Sequence, residues 1–329
     1  MIINRASSFY LFFLLLLSSC IEKEIPVTPY EIGDIDLHTV GIGSDYFQQV
    51  YYSLLSSQVI ESNPKTAWCF SLQNHNDSTL ISLNSSRYMK IAEIGLDSQT
   101  SITEDDLVNL DWSIAPPEGA DIHVPYFHLK PNTVYILDLG RKGLNSSIED
   151  YLGYKQFVIP EWSQSSLEFD LHLADLDLQN STTLNITLDP EGLRSYLSAI
   201  DNSVVPIIEP HPDFWDLWFT QYTEVLDGGI EYLVTGILTP TSATKVYQTD
   251  YSNWDSLLLA DWSSFPFSNN WNEIGWDWKS YSLENGSYTI NSDRIYCIKS
   301  ENGEYLLRFL DFYDEVGATG TFTFECIKR

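Results

Sequence analysis

The sequence predicts an all-β fold of mostly antiparallel sheets, and three observations carry the prediction. The stretches Arg294–Lys299 and Tyr305–Leu310 are β-branched and aromatic and flank Glu301-Asn302-Gly303, residues suited to the positive φ angles of a tight hairpin turn. After a turn around Gly317 and Gly320, Thr321–Cys326 alternates polar and apolar, so Phe322, Phe324 and Cys326 share one buried face. The chain also holds 20 Tyr, 16 Phe and 10 Trp without any long amphipathic helix, a composition that suits sheet surfaces.

Taken from its start, the chain opens with Arg5, an apolar run Phe9–Leu17, and Leu17-Ser18-Ser19-Cys20, which fits a bacterial lipobox. The run is shorter than the roughly 20 residues of a spanning helix. Residues 1–19 therefore read as a signal peptide and Cys20 as the lipid-modified first residue of the mature chain. Residues 20–35 are polar and proline-containing, as a flexible tether would be.

Beyond the tether the sequence suggests a duplication. Val50–Leu54, Val59–Pro64 and Trp68–Leu72 have counterparts in Ser195–Ser198, Val204–Pro212 and Trp215–Phe219. Thr133–Asp138 with Tyr154–Val158 likewise parallels Arg294–Ile298 with Tyr305–Leu310. Two diverged copies of one β unit are expected, at 36–178 and 179–329. Further strands are read at Leu80–Leu83, Leu184–Leu188 and Tyr232–Leu238, and single helical turns at Glu104–Asn109 and Asp189–Leu193.

The net charge of −29 argues against nucleic acid and anionic membrane surfaces as partners, because the field repels phosphate. Cys69, Cys297 and Cys326 remain besides Cys20, and Cys297 and Cys326 could bridge only if their strands are neighbours. No metalloprotease, serine-hydrolase or phosphate-loop motif occurs, so no catalytic residue is assigned and the chain reads as a non-enzyme. The acidic groups Glu104-Asp105-Asp106 and Asp175/Asp177 read as solvated surface.

The candidate ligands for a metal or haem are histidines. His123 and His128 flank Pro125 and would face opposite sides of an extended segment, while His211 sits between Pro210 and Pro212 in a connection. Trp271, Trp276 and Trp278 belong to an aromatic run from Trp254 to Tyr281. Such a run either stacks on a ligand or packs into a sheet edge.

Several of these stretches resemble a known family. Ile290–Tyr296, Arg308–Tyr313 and Thr321–Glu325 are similar to the C-terminal signature of HmuY-like lipoproteins, the haem-binding surface proteins of Bacteroidetes. Thr183–Leu188, Trp215–Tyr222 and Tyr232–Leu238 resemble the family's earlier strands, with the first copy diverged. The resemblance implies an antiparallel β fold, lipid anchorage at the outer membrane and cell surface, and haem capture for iron acquisition with hand-over to a TonB-dependent receptor. It does not supply axial ligands: the histidine that haem-binding members carry upstream of the C-terminal hairpin falls at Ser282, and neither His nor Met follows His211. The alternative is an adhesive or structural surface lipoprotein that contacts a glycan or partner protein without a cofactor.

Overall fold

The structure, a computed structural model, describes residues 35–75, 78–114, 127–142, 150–160, 162–163, 166–250 and 254–329. Cys20 and His123 lie outside the described residues. In chain order the first strands are β1 (Asp36–Gly41), β2 (Gln48–Ser53), β3 (Gln58–Pro64), β4 (Phe70–His75), β5 (Ser78–Leu83), β6 (Lys90–Glu93), β7 (Ser113–Ile114), β8 (Phe127–His128), β9 (Tyr135–Asp138), β10 (Tyr154–Val158) and β11 (Glu168–Ala174). The remainder are β12 (Thr182–Thr187), β13 (Ser195–Ser198), β14 (Ser203–Val205), β15 (Leu217–Leu226), β16 (Ile230–Leu238), β17 (Thr244–Thr249), β18 (Lys279–Ser282), β19 (Ser287–Ile290), β20 (Ile295–Ser300), β21 (Gly303–Tyr313) and β22 (Thr319–Lys328).

These strands form four larger sheets: A (β1-β22-β21-β20-β17), B (β16-β15-β2-β3), C (β14-β13-β4-β5-β8) and D (β12-β11-β10-β9-β6-β7), with β18-β19 as a separate hairpin. All the pairings between these strands are antiparallel, as the sequence predicts. Every larger sheet mixes strands from 36–178 with strands from 179–329. A shift of eleven in strand number carries β1-β22-β21-β20-β17 onto β12-β11-β10-β9-β6 and β16-β15-β2-β3 onto β5-β4-β13-β14.

The sheets stack in the order A, B, C, D. Val50, Tyr52, Leu217, Phe219 and Ile237 of B meet Val40, Tyr296, Ile298, Phe322 and Phe324 of A in one core. Phe70, Leu72, Ile81 and Leu197 of C meet Ile91, Leu137, Phe157 and Leu171 of D in a second. Between B and C lies an aromatic layer of Tyr51, Trp218, Tyr222, Trp68, Tyr196, Trp215 and Trp271. Strand alternation generates this arrangement, because Tyr52 opposite Leu217 faces A while the next pair, Tyr51 opposite Trp218, faces C. The short helix Glu104–Leu107, inside the predicted helical stretch, lies over D and buries Leu107 beside Ile136 and Val158.

The C-terminal expectations meet the structure closely. Phe322, Phe324 and Cys326 are buried on one face of β22. In the hairpin turn only Gly303 carries a positive φ, of 142°, whereas the Asn302 side chain instead donates to the Asp213 carbonyl at 3.0 Å. The stretch Asp189–Leu193 is a turn rather than a helix, with Gly192 at φ +85°. Cys297 and Cys326 do not bridge: their strands flank β21 on opposite sides, roughly 10 Å apart, and both thiols, like that of Cys69, are buried and free. Opposition to the successive residues Leu306 and Leu307 also turns the two side chains to opposite faces.

The segment 270–278 is clamped to sheet B through the bridge between Ile237 and Gly275. A Cβ on Gly236 would lie 2.3 Å from the Gly275 carbonyl oxygen, so glycine is required for that approach. Gly236→Ala is expected to lower stability by about 1–3 kcal/mol, read from the midpoint of urea unfolding.

Lys279, at the start of β18, is buried with its ammonium donating to the Thr235 carbonyl at 2.6 Å and lying 4.4 Å from the Trp278 ring centroid. Burial, partly offset by Asp277, pushes this ammonium from 10.5 down to about 7. The folded state therefore binds fewer protons than the unfolded chain above about pH 7, and this group makes stability rise with pH. Unfolding measured at pH 7 and pH 9 should show a rise, to which Lys65, lowered to about 8 by burial, also contributes, and Lys279→Met should reduce it.

Candidate functional site

A cleft of about 490 Å³ opens at one end of the aromatic layer between sheets B and C. Its walls come from β13, β14, the connection 207–213 and the segments around Thr239 and Trp271. Its volume falls in the range of small-molecule sites. Inside it Arg194 pairs with Glu209 at 2.9 Å, and the Tyr196 hydroxyl donates to the same carboxylate oxygen at 2.7 Å. Burial alone would lower the Arg194 guanidinium, but the Glu209 carboxylate beside it raises it instead. Burial holds the Tyr196 and Tyr51 hydroxyls well above the ordinary tyrosine value, so both stay neutral hydrogen-bonding groups.

The connection that carries Glu209 is held at several points. The Trp215 indole donates to the Pro210 carbonyl at 3.1 Å, and Asn63 donates to the Ile208 carbonyl at 2.9 Å. His211 caps the turn Pro212–Phe214, its Nδ1 accepting from the Asp213 amide at 3.3 Å with the Asp213 carboxylate 3.5 Å away. At the mouth, Ile207 is 76% exposed and has φ 30°, an unfavourable conformation for a β-branched residue. Val204 is exposed beside it, so the rim is apolar and the interior polar.

Of the predicted site residues, the structure brings His211 and Trp271 together on this cleft. Trp276 lies elsewhere, on a more open depression of about 700 Å³ with Glu224, Asp227 and Glu273. Trp278 offers no surface: it is fully buried in the A–B core, stacked on Phe309 at 4.3 Å. Trp254 and Trp262 are buried too, so the aromatic run packs mostly inward, and Trp254 begins a short helix ending at Leu259. His128 sits on β8 at the edge of sheet C and does not line the cleft. Among the described residues no second histidine and no methionine lines it, and Met89 is buried in the C–D core.

Sequence reading missed the Arg194–Glu209–Tyr196 group. A signal was present, since Arg194 is the only arginine between Arg141 and Arg294 in a chain with 46 acidic residues. Its partner stands 15 residues away across a hairpin, which no local pattern reveals.

The family model described as HmuY protein matches residues 45–326. The chain belongs to the HmuY family. The match runs through both halves of the chain, and the cleft residues of this HmuY family member lie within it. Among solved structures, apo PinO from Porphyromonas gingivitis is similar at 9% identity, covering 89% of this chain and 96% of that one with a TM-score of 0.34. A candidate lipoprotein from Bacteroides fragilis NCTC 9343 matches at 18% identity over 36% of this chain and 72% of that one, TM-score 0.24. A candidate HmuY-like haem-binding protein from Bacteroides vulgatus ATCC 8482 matches at 16% over 48% and 84%, TM-score 0.23. No curated protein matches this chain.

Removing the Glu209 charge would strand a largely buried guanidinium and free the Tyr196 hydroxyl of its acceptor. Glu209→Gln is expected to cost about 3–5 kcal/mol, read by urea unfolding followed through tryptophan fluorescence.

Proposed function

We propose that this HmuY family member is a lipid-anchored surface protein that binds haem in the Arg194 cleft, as part of iron acquisition. The observation that carries the reading is the convergence of His211, Trp271, an apolar rim and a buried polar group on one cleft of ligand size. The residues fit haem through a single imidazole. With Nδ1 accepting the Asp213 amide the ring proton lies on Nε2, so ligation by Nε2 requires that proton to move to Nδ1, where the Asp213 carboxylate 3.5 Å away can accept it, the usual arrangement behind a metal-bound histidine. Haem when bound supplies an iron that takes this nitrogen; Val204, Ile207 and Trp271 supply apolar contact with the macrocycle. A TonB-dependent receptor is the partner this reading supplies with haem. The same reading takes the chain as two copies of one β unit, supported by the eleven-strand correspondence between its sheets.

A second reading, a surface protein that binds a glycan or protein without cofactor, is favoured by one observation. Glu191, Glu209 and Thr241 give the cleft polar groups unrelated to iron. Haem titration of the purified protein decides between them. A saturable one-to-one Soret shift with tryptophan quenching is expected, and His211→Ala should abolish the shift or weaken affinity by at least about tenfold. A flat Soret band with sugar-dependent quenching would establish the second reading.

A further inference from the structure

Behind the cleft lies a second, smaller chamber of about 10 Å³, the room of one water-sized group. Its lining is Trp68, Trp218, Trp271, Arg194, Ser71, Ser82, Ser85 and Leu83, so three residues, Arg194, Trp218 and Trp271, form the partition it shares with the cleft. Trp68, Trp218 and Trp271 are 4%, 6% and 6% exposed, and the indole N–H of each lacks a hydrogen-bond partner. The Nε–H of Arg194 is buried and unpartnered as well.

Indole and guanidinium nitrogens can only donate, and a buried donor without an acceptor costs roughly 1–3 kcal/mol. Four residues that each carry such a donor line one small space, and donors turned into it would favour an acceptor with no hydrogen to place. Water would use its lone pairs there but must also find acceptors for two hydrogens. A carboxylate oxygen or a halide needs only donors. The hydroxyls of Ser71, Ser82 and Ser85 can rotate to donate to an anion and can equally accept from a water, so the preference for an anion rests on the four N–H donors.

We propose that this chamber is an anion-accepting subsite, taking one carboxylate oxygen or one halide on the N–H groups of Trp68, Trp218, Trp271 and Arg194. The carboxylate version rests on the cleft as the ligand site and makes the ligand a carboxylic acid whose acid group enters past Trp218 and Trp271.

The test uses the full protein labelled with ¹⁵N at the tryptophan indoles. One arm titrates sodium bromide against sodium sulfate at constant ionic strength. The other titrates iron-free protoporphyrin IX and its dimethyl ester, which keeps the ring and removes the oxyanions. Because no iron is present, failure of His211 as an axial ligand leaves this arm unaffected. Expected is saturable movement of three indole N–H resonances by bromide or by the free acid, with the ester at least tenfold weaker than the acid. Trp218→Phe and Trp271→Phe should each weaken the effect about tenfold. Trp162→Phe, which removes a buried unpartnered indole N–H in the C–D core, should leave it unchanged. A response to bromide assigns a free inorganic anion, and a response to the acid alone assigns a ligand carboxylate. The proposal is overturned if these resonances ignore both probes, or respond equally to sulfate or to the ester. The wild-type spectra decide this even if a Phe variant does not fold.

Discussion

The aromatic layer between sheets B and C is the constraint on which the rest of the structure depends. Two sheets that each already cover one face with A or D place mostly bulky rings on the other, beside Val234, Leu238 and Ile208, and the rings stack and cross at close range. Tyr51 lies 5.2 Å from Trp218 and Trp68 lies 4.9 Å from Tyr196, centroid to centroid. Rings of this size bury large apolar areas while bringing polar atoms with them. Burial drives the layer together, and its hydroxyl and indole hydrogens become a polarity that the interior must accommodate.

The site grows out of that tension. At one end of the layer Tyr196 and Arg194 share the Glu209 carboxylate, which satisfies part of the buried polarity and ties the connection 207–213 to sheet C. Deeper in, the indoles of Trp68, Trp218 and Trp271 have no such partner. A core made only for stability would favour aliphatic residues here. The cleft and the inner chamber are therefore the places where the architecture departs from simple packing, and departures of that kind concentrate at functional sites.

Much of the fold was legible because it is local. Period-two alternation in Thr321–Cys326 states which side chains are buried, and Asn302-Gly303 marks a hairpin whose strands pair as read. The aromatic run from Trp254 to Tyr281 was harder. Trp271 and Trp278 are equivalent as sequence, yet one lines the cleft and the other is sealed in the A–B core. What separates them is the close approach at Gly236 and Gly275, a contact between segments far apart in the chain.

By itself the sequence determined strand content, the faces of individual strands and family membership, since alternation, turn chemistry and composition act over a few residues. Tertiary structure alone decided which strands share a sheet. The pairing of β15 with β2 and of β13 with β4 joins residues more than 120 positions apart, about which local pattern is silent. Arg194 meets Glu209 locally, across the β13–β14 hairpin, whereas the long-range pairing gathers Trp68, Trp218 and Trp271 around one chamber. The chamber is a product of long-range register, because hydrogen-bonded ladders fix side-chain positions only after distant strands have met.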